Sequence, residues 1–237
     1  DLTIEGGTFE AEYEGTSKDQ FGPGCVYNEG NLTINGGTFT SVNKRTYAVV
    51  SEIGAVTIDP AAGKTVKISG AHGGLGIDGG TAIINGGNYS SSEYYGLYVS
   101  NDSREANVTV NDGSFTGKNY SVWIGSDVKN PVDSMLTING GTFNKPINEQ
   151  NNAAGKLKVT GGTFSSDPSE YVAEGYEAVG NEGKWTVKSI FAGGTGTAED
   201  PFVIQNAEQF GTFRDNVNAG NTFAGKTIEL TDDIDLS

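Results

Sequence analysis

The chain of 237 residues has very little cysteine, histidine, proline or positive charge. A single cysteine, Cys25, allows no disulfide within the chain, and a single histidine cannot build a multi-histidine metal site. Lys and Arg number 15 against 30 Asp and Glu, so the formal net charge is −15, which repels nucleic-acid phosphates. No apolar run approaches the ~18 residues of a membrane-spanning helix. We therefore expect no nucleic-acid partner and no membrane insertion.

Glycine, by contrast, is abundant. The 36 glycines amount to about twice the usual share of ~7%. A helical bundle is disfavoured because glycine costs ~1 kcal/mol at each helix-interior site. Six prolines and the lack of a strict three-residue period exclude a collagen-like chain. The glycines therefore indicate a backbone that turns often.

An eight-residue motif recurs through most of the chain, with LTIEGGTF as its first copy and a degenerate copy, VTIDPAAG, as its third. The seven copies begin at Leu2, Leu32, Val56, Ala82, Val108, Leu136 and Leu157. Their starts are 30, 24, 26, 26, 28 and 21 residues apart. A period near 26 with variable insertions is typical of a solenoid whose coils differ in loop length.

Each copy alternates apolar and polar residues with a period of two. Leu32 and Ile34 are expected to face a core and Thr33 to face solvent. Asn-Gly-Gly then turns the chain, since Asn and Gly tolerate positive φ. An aromatic residue follows at a fixed offset, which predicts an interior aromatic column. Its members are Phe9, Phe39, Tyr89, Phe115, Phe143 and Phe164.

A further strand lies later in most coils. We assign this role to segments that begin at Gly24, Thr46, Leu75, Tyr95 and Tyr120. Two or three short strands per coil predict an all-β fold, a right-handed parallel β-helix of about seven coils. With its GGTF coils, the sequence resembles the β-helix repeats of large bacterial cell-surface, adhesin-like proteins.

The resemblance covers residues 1–188 and divides the chain into two parts. The stretch from Ser165 is similar to the closing segment of such repeats, with side chains that can cover the open end of the core. These side chains are Tyr171, Val172, Tyr176, Val179 and Trp185. The GGTGTAEDPFVI segment from Gly193 resembles the N-terminal start of a second β-helix module.

Residues 189–237 are therefore expected to form a capping helix and the first strand of a second, truncated module. Asn206 is placed to cap the helix N-terminus. Phe210, Phe213 and Val217 follow at i, i+3 and i+7, which predicts one buried face.

Carboxylates are the abundant catalytic groups. The aligned strands put Asp102 and Asp127 at equivalent ends of neighbouring coils, and glycoside hydrolysis needs two such carboxyls. Solvated turn aspartates repeated by homology explain the same pattern. Many β-helix enzymes cleave polysaccharides, so a lyase or hydrolase is an alternative that rests on fold analogy. We expect no cofactor, although Asp232, Asp233 and Asp235 leave a structural Ca²⁺ open.

The stronger functional signal is aromatic. Tyr98 and Trp123 are expected to face outward on adjacent coils, with Tyr27 in the same column further along. Such a platform suits a sugar ring or a protein partner, whereas a ladder of stabilising cross-strand pairs is the structural alternative. Asp78, Asp102 and Asp127 are expected nearby as hydrogen-bond acceptors, and Tyr94, Tyr95 and Tyr120 flank the platform.

The resemblance to surface-protein repeats implies an extracellular module, on the bacterial cell surface or secreted. Its expected role is non-catalytic: a stalk or adhesin segment that binds a glycan or a host surface protein. A phage tail-spike segment is a further alternative, and it predicts a tight trimer in solution.

Overall fold

In a computed structural model that describes residues 1–12, 24–42, 45–231 and 233–234, the chain is a β-solenoid of stacked parallel strands with one short C-terminal helix. The predicted all-β parallel β-helix is therefore confirmed. The strands and the helix, in chain order, are β1 (Leu2–Ile4), β2 (Thr8–Ala11), β3 (Val26–Asn28), β4 (Asn31–Ile34), β5 (Gly37–Ser41), β6 (Tyr47–Ser51), β7 (Ala55–Ile58), β8 (Val66–Gly70), β9 (Gly73–Ile77), β10 (Gly80–Ser91), β11 (Tyr95–Val99), β12 (Ala106–Thr116), β13 (Tyr120–Ile124), β14 (Met135–Ile138), β15 (Thr142–Phe143), β16 (Ile147–Glu149), β17 (Leu157–Val159), β18 (Gly162–Phe164), β19 (Tyr176–Asn181), β20 (Lys184–Ser189), β21 (Phe202–Ile204), α1 (Ala207–Asn218) and β22 (Ile228–Leu230). Short 3-10 turns lie at Asn151–Ala153 and Ser169–Tyr171.

The solenoid has three faces. The first is formed by the strands that open each repeat motif, β1, β4, β7, β10, β12, β14 and β17, paired in parallel. The second carries the aromatic positions, on β2, β5, β8, β10, β12, β15 and β18. The third runs β3, β6, β9, β11, β13 and β16, as the five predicted later segments require. β10 and β12 are continuous across the first and second faces.

The core is one apolar cluster that runs through the stack. The inward positions of the first face are fully buried, including Ile34, Ile58, Ile84, Val110 and Ile138. The period-two alternation of the motif therefore sorts side chains as predicted. Leu2 in the first coil is the exception, because its side chain is 51% exposed at the end of the stack.

In the Asn-Gly-Gly turn, the three residues have different roles from those predicted. The second glycine takes the positive φ, 125° at Gly37 and 101° at Gly141. The first glycine is required for space, since a Cβ on Gly140 would stand 2.3 Å from the Asn111 carbonyl oxygen of the coil before. In the described chain the asparagines do not have positive φ, so that part of the prediction is wrong.

The asparagine side chains instead form a ladder along the stack. Asn111 donates from Nδ2 to Asn85 Oδ1 at 2.8 Å, and Asn139 donates to Asn111 Oδ1 at 3.0 Å. Thr160 continues the ladder by donating its hydroxyl to Asn139 Oδ1 at 2.7 Å. The turn asparagine thus bonds to the neighbouring coils rather than supplying backbone freedom.

The aromatic column is present but interrupted. Phe9 stacks on Phe39 with centroids 4.8 Å apart, and a second stack runs from Tyr89 to Phe164 with spacings of 4.6, 5.1 and 4.7 Å. Ile68 stands between the two stacks, in register with Phe39 and Tyr89. The degenerate third coil therefore replaces an aromatic ring with an aliphatic side chain and keeps the core closed.

A hairpin ends the parallel stack. β20 pairs with β18 in the antiparallel sense, and β19 pairs with β20. Trp185 stands opposite Phe164, and four of the five side chains predicted to close the core pack against it. The exception is Val179, which is 42% exposed, so its predicted role is wrong.

The C-terminal residues pack around a second small cluster of Ile190, Phe191, Phe202, Ile204 and Phe223. β21 pairs with β22 in parallel, and the Asn206 side chain caps α1 by accepting from the Gln209 amide, as predicted. Phe210 and Phe213 pack on this cluster. Val217 is 44% exposed, contrary to the predicted buried face. Among the described residues, no helix has the length and apolarity to cross a membrane.

Candidate functional site

The third face carries the predicted outward column. Tyr27, Val50, Gly76, Tyr98 and Trp123 occupy successive equivalent positions from β3 to β13. Tyr98 and Trp123 are therefore neighbours on adjacent coils, as predicted, and Tyr27 belongs to the same column. Tyr27 is 59% exposed, whereas Tyr98 and Trp123 are half-buried.

Tyr47 fills the gap in this column that Gly76 leaves. Its ring lies against β9, so close that a Cβ on Gly73 would stand 2.1 Å from Tyr47 Cε1. The same ring stacks on Tyr98 with centroids 5.6 Å apart and planes inclined by 20°. Tyr47 was not predicted, although its register with Tyr95, through Gly73, is a signal that the sequence contains.

The outward rings pack on one another. Tyr95 lies 5.7 Å from Tyr98 and 5.4 Å from Trp123, and Tyr120 meets Trp123 edge-on at 4.9 Å between centroids. We call the set of contacting rings the aromatic surface. It consists of Tyr47, His72, Tyr94, Tyr95, Tyr98, Tyr120 and Trp123. These contacts explain why Tyr98 and Trp123 are only partly exposed.

Beside the aromatic surface lies a groove of about 740 Å³. Tyr47, Tyr98 and Tyr27 line it, and Val50 contributes an apolar patch. Its other lining is polar and includes Glu52, Asp78, Asp102, Ser100 and Arg104. The groove thus combines aromatic side chains with an acidic end, which is the mixture found in small-ligand sites.

The acidic end is built by residues that follow the strands of the third face. Glu52 directly follows β6, and Asp78 directly follows β9 and donates its amide to Ser51 O at 2.8 Å. Ser100 occupies the next equivalent position and donates its amide to Ile77 O at 2.9 Å. Arg104 pairs with Glu52 at 2.7 Å from the loop after β11. Glu52 and Arg104 are groove residues that the sequence reasoning missed.

The environment of Asp78 favours its neutral form. Burial raises the pKa of Asp78 to about 6, and the charges of Glu52 and Asp102 act in the same direction while Arg104 opposes them. Burial also raises the pKa of Tyr98 to about 12 and that of Tyr47 well above its ordinary value. Both tyrosines are therefore neutral hydroxyl groups at physiological pH.

Asp127 belongs to a second, smaller hollow of about 310 Å³ with Trp123, Tyr95 and Tyr98. Its Oδ1 accepts a hydrogen bond from Gln150 Nε2 at 2.5 Å. Asp102 instead lines the larger groove with Asp78. The predicted equivalence of Asp102 and Asp127 thus places one carboxylate in each of two neighbouring depressions.

Other candidate groups lie apart from the groove. The Cys25 thiol donates to the carbonyls of Phe9 and Thr40 at 3.3 and 3.2 Å, and burial raises its pKa. Within the described residues, no three His, Cys, Asp or Glu side chains form a group that could hold a metal ion. Asp232 and Asp235 of the predicted calcium cluster lie outside the described residues, and Asp233 is exposed.

Comparison of the chain with protein-family models, with curated proteins and with solved structures found no match. The groove and the aromatic surface are therefore the features from which a function is inferred.

Proposed function

We propose that the chain is a non-catalytic module of an extracellular bacterial surface or secreted protein, and that its third face binds a glycan. The observation that carries the proposal is the stack of Tyr47 on Tyr98 beside an open groove with carboxylates at one end. Aromatic faces stack against the C–H faces of sugars, and carboxylates accept hydrogen bonds from sugar hydroxyls.

The shape of the site favours a glycan over a host protein. A depression of about 740 Å³ lies in the size range of small-ligand sites, whereas protein partners generally need broad surfaces. Gly73 and Gly76 make room for the Tyr47 ring at the groove, since a Cβ on either residue would stand 3.0 Å or less from that ring.

The surface location is supported by the sequence. The GGTF coils resemble those of bacterial surface proteins, and a rigid solenoid held by backbone ladders suits a stalk without disulfides. A surface stalk that carries a glycan-binding face would act as an adhesin segment.

The decisive experiment is a glycan array followed by calorimetry on the variant Tyr98→Ala/Trp123→Ala. We expect loss of the array signal and an affinity at least about tenfold lower, because two stacking faces are removed. Ile83→Ala is the matched control, since Ile83 is 46% exposed on the first face. Circular dichroism verifies that both variants fold. Unchanged binding by the folded double variant would show that the aromatic surface only stabilises the sheet.

A second candidate, a glycoside hydrolase or polysaccharide lyase, is favoured by one observation. Asp78, Glu52 and Asp102 share the groove with Arg104, and the raised pKa of Asp78 suits a general acid. Turnover is measured as release of reducing ends or unsaturated products from pectin-, alginate- or mucin-type polymers. Catalysis requires activity that Asp78→Asn abolishes, while absence of turnover with retained binding supports the non-catalytic role.

A further inference from the structure

The charges at the acidic end of the groove restrict its ligand. Glu52, Asp78 and Asp102 line this end together with Arg104, and His72 lines the same groove beside Tyr47. Arg104 is already engaged, because its Nη1 lies 2.7 Å from Glu52 Oε1. With all four groups ionised, the acidic end keeps an excess of negative charge, and the formal net charge of the whole chain is also negative, at −15. A ligand that bears carboxylates or sulfates is repelled here.

We propose that the groove binds a glycan with free amino groups, whose ammonium lies among Asp78, Glu52 and Asp102 while a sugar ring contacts Tyr47 and Tyr98. The proposal rests on the proposed glycan-binding function and specifies the class of sugar. An ammonium gains twice at this place, from the carboxylates and from the faces of nearby tyrosine rings.

The surroundings of Asp78 support this choice. Glu52 lies at the end of β6, Asp102 and Arg104 lie in the loop between β11 and β12, and Tyr98 and Tyr47 face the same groove. His72 also lines the groove, where its ring meets that of Tyr47 edge-on at 5.1 Å. A neutral sugar leaves the repulsion between Asp78 and its acidic neighbours uncompensated, whereas an ammonium relieves it.

The attraction between the ligand ammonium and the Asp78 carboxylate predicts that the binding affinity depends on pH. Below about pH 6, Asp78 is protonated and offers the ligand less negative charge. As Asp78 ionises, the affinity for an amino glycan should rise as long as the sugar amine stays protonated, so binding is expected to be strongest near the pKa of Asp78, at about pH 6. The same change should have little effect on the affinity for a neutral sugar.

The test is calorimetry of the full chain with two matched probes, the glucosamine tetramer and the N-acetylglucosamine tetramer. We expect the glucosamine tetramer to bind at least about tenfold more tightly near pH 6, where its amines remain protonated, and this preference to fall in Asp78→Asn. Asp59→Asn is the matched control, because Asp59 is an exposed carboxylate that follows a first-face strand. Its preference should equal that of the unmodified chain.

Four results overturn the inference, and two of them use further probes in the same calorimetry, a galacturonate tetramer and a lysine tetramer. Equal or tighter binding of the acetylated probe, or tighter binding of a galacturonate tetramer, shows that the amino group is not recognised, while the proposed glycan-binding function stands. Binding of a lysine tetramer as tight as that of the glucosamine tetramer shows that ammonium is recognised without the sugar. If no glycan binds to the chain in the array or in calorimetry, the proposed function fails as well.

Discussion

Tyr47 and Tyr98 stack on each other although they belong to the second and fourth coils of the solenoid. The contact skips the third coil because that coil presents Gly73 and Gly76 where its neighbours carry larger side chains. The missing side chains leave a shallow depression in the third coil, and the Tyr47 ring occupies it. A surface contact between distant coils is thus made by the absence of side chains from the coil between them.

The variant Gly73→Ala tests this arrangement. Its Cβ would stand 2.1 Å from Tyr47 Cε1, so the Tyr47 ring must move away from β9. We expect a changed near-ultraviolet circular dichroism spectrum, weaker glycan binding and a modest loss of stability of about 1–3 kcal/mol. Gly30→Ala provides the control, because no atom lies within 4 Å of its added Cβ. A spectrum unaltered by Gly73→Ala would contradict the stack.

Two glycines at equivalent positions of the repeat should respond differently to alanine. Gly140→Ala places a Cβ 2.3 Å from the Asn111 carbonyl oxygen, while Gly6→Ala meets nothing within 4 Å. The first substitution should lower the free energy of unfolding by about 1–3 kcal/mol, because backbone must move. The second should change it by less than about 0.5 kcal/mol. Urea denaturation measures both, and equal losses would show that packing between coils does not select the glycine.

The interior stack makes a prediction about position. Phe115 is fully buried and lies between Tyr89 and Phe143, whereas Phe9 is half-buried and stacks on Phe39. Phe115→Ala should cost about 3–5 kcal/mol of unfolding free energy, and Phe9→Ala distinctly less. Thermal and urea unfolding of the two variants provide the comparison. A larger loss for Phe9→Ala would contradict the order of burial.

The raised pKa of Asp78 predicts how the free energy of unfolding depends on pH. Because burial raises its pKa from 3.8 to about 6, the folded chain retains a proton that the unfolded chain releases between these values. Stability from this group is therefore fully present below about pH 4 and is lost as the pH rises through about 6. Asp78→Asn should remove this loss and be more stable at about pH 8 by a value on the order of 2 kcal/mol.

The measurement for Asp78 is urea unfolding across this pH range. Asp59→Asn serves as the control, and its pH profile should follow that of the unmodified chain. Arg104→Gln should deepen the loss, since the Arg104 charge opposes the rise in the pKa of Asp78. Parallel pH profiles for Asp78→Asn and the unmodified chain would contradict this account.

Much of the fold follows from the spacing of a few residue types. Alternation in motifs such as LTINGGTF determines which side chains enter the core, and the repeated copies determine which strands become neighbours. The role of the turn asparagine cannot be predicted from the sequence. Asparagine is expected at this position both for a turn with positive φ and for a hydrogen-bonded ladder between coils. Only the hydrogen bonds of Asn111 with Asn85 and Asn139 distinguish the two.

The candidate site was harder to predict for a related reason. Aligning strands by sequence places Tyr98 beside Trp123, and the pairing confirms it. The sequence did not predict Tyr47 as a site residue, because its ring crosses a coil that has no side chain at that position. It did not predict Glu52, because this residue lies just beyond the end of a strand. A contact that depends on a missing side chain in the coil between two residues cannot be predicted from the sequence of one repeat alone.

The hydrogen bonds that join the coils have a mechanical consequence. They run along the solenoid axis, so a force that separates the chain ends opens the coils one after another, as in a zipper. A typical coil spans 26 residues and can lengthen to roughly 90 Å, compared with a rise of ~4.8 Å when stacked. Extension therefore proceeds in discrete steps, and the unequal repeat lengths, from 21 to 30 residues, make those steps unequal.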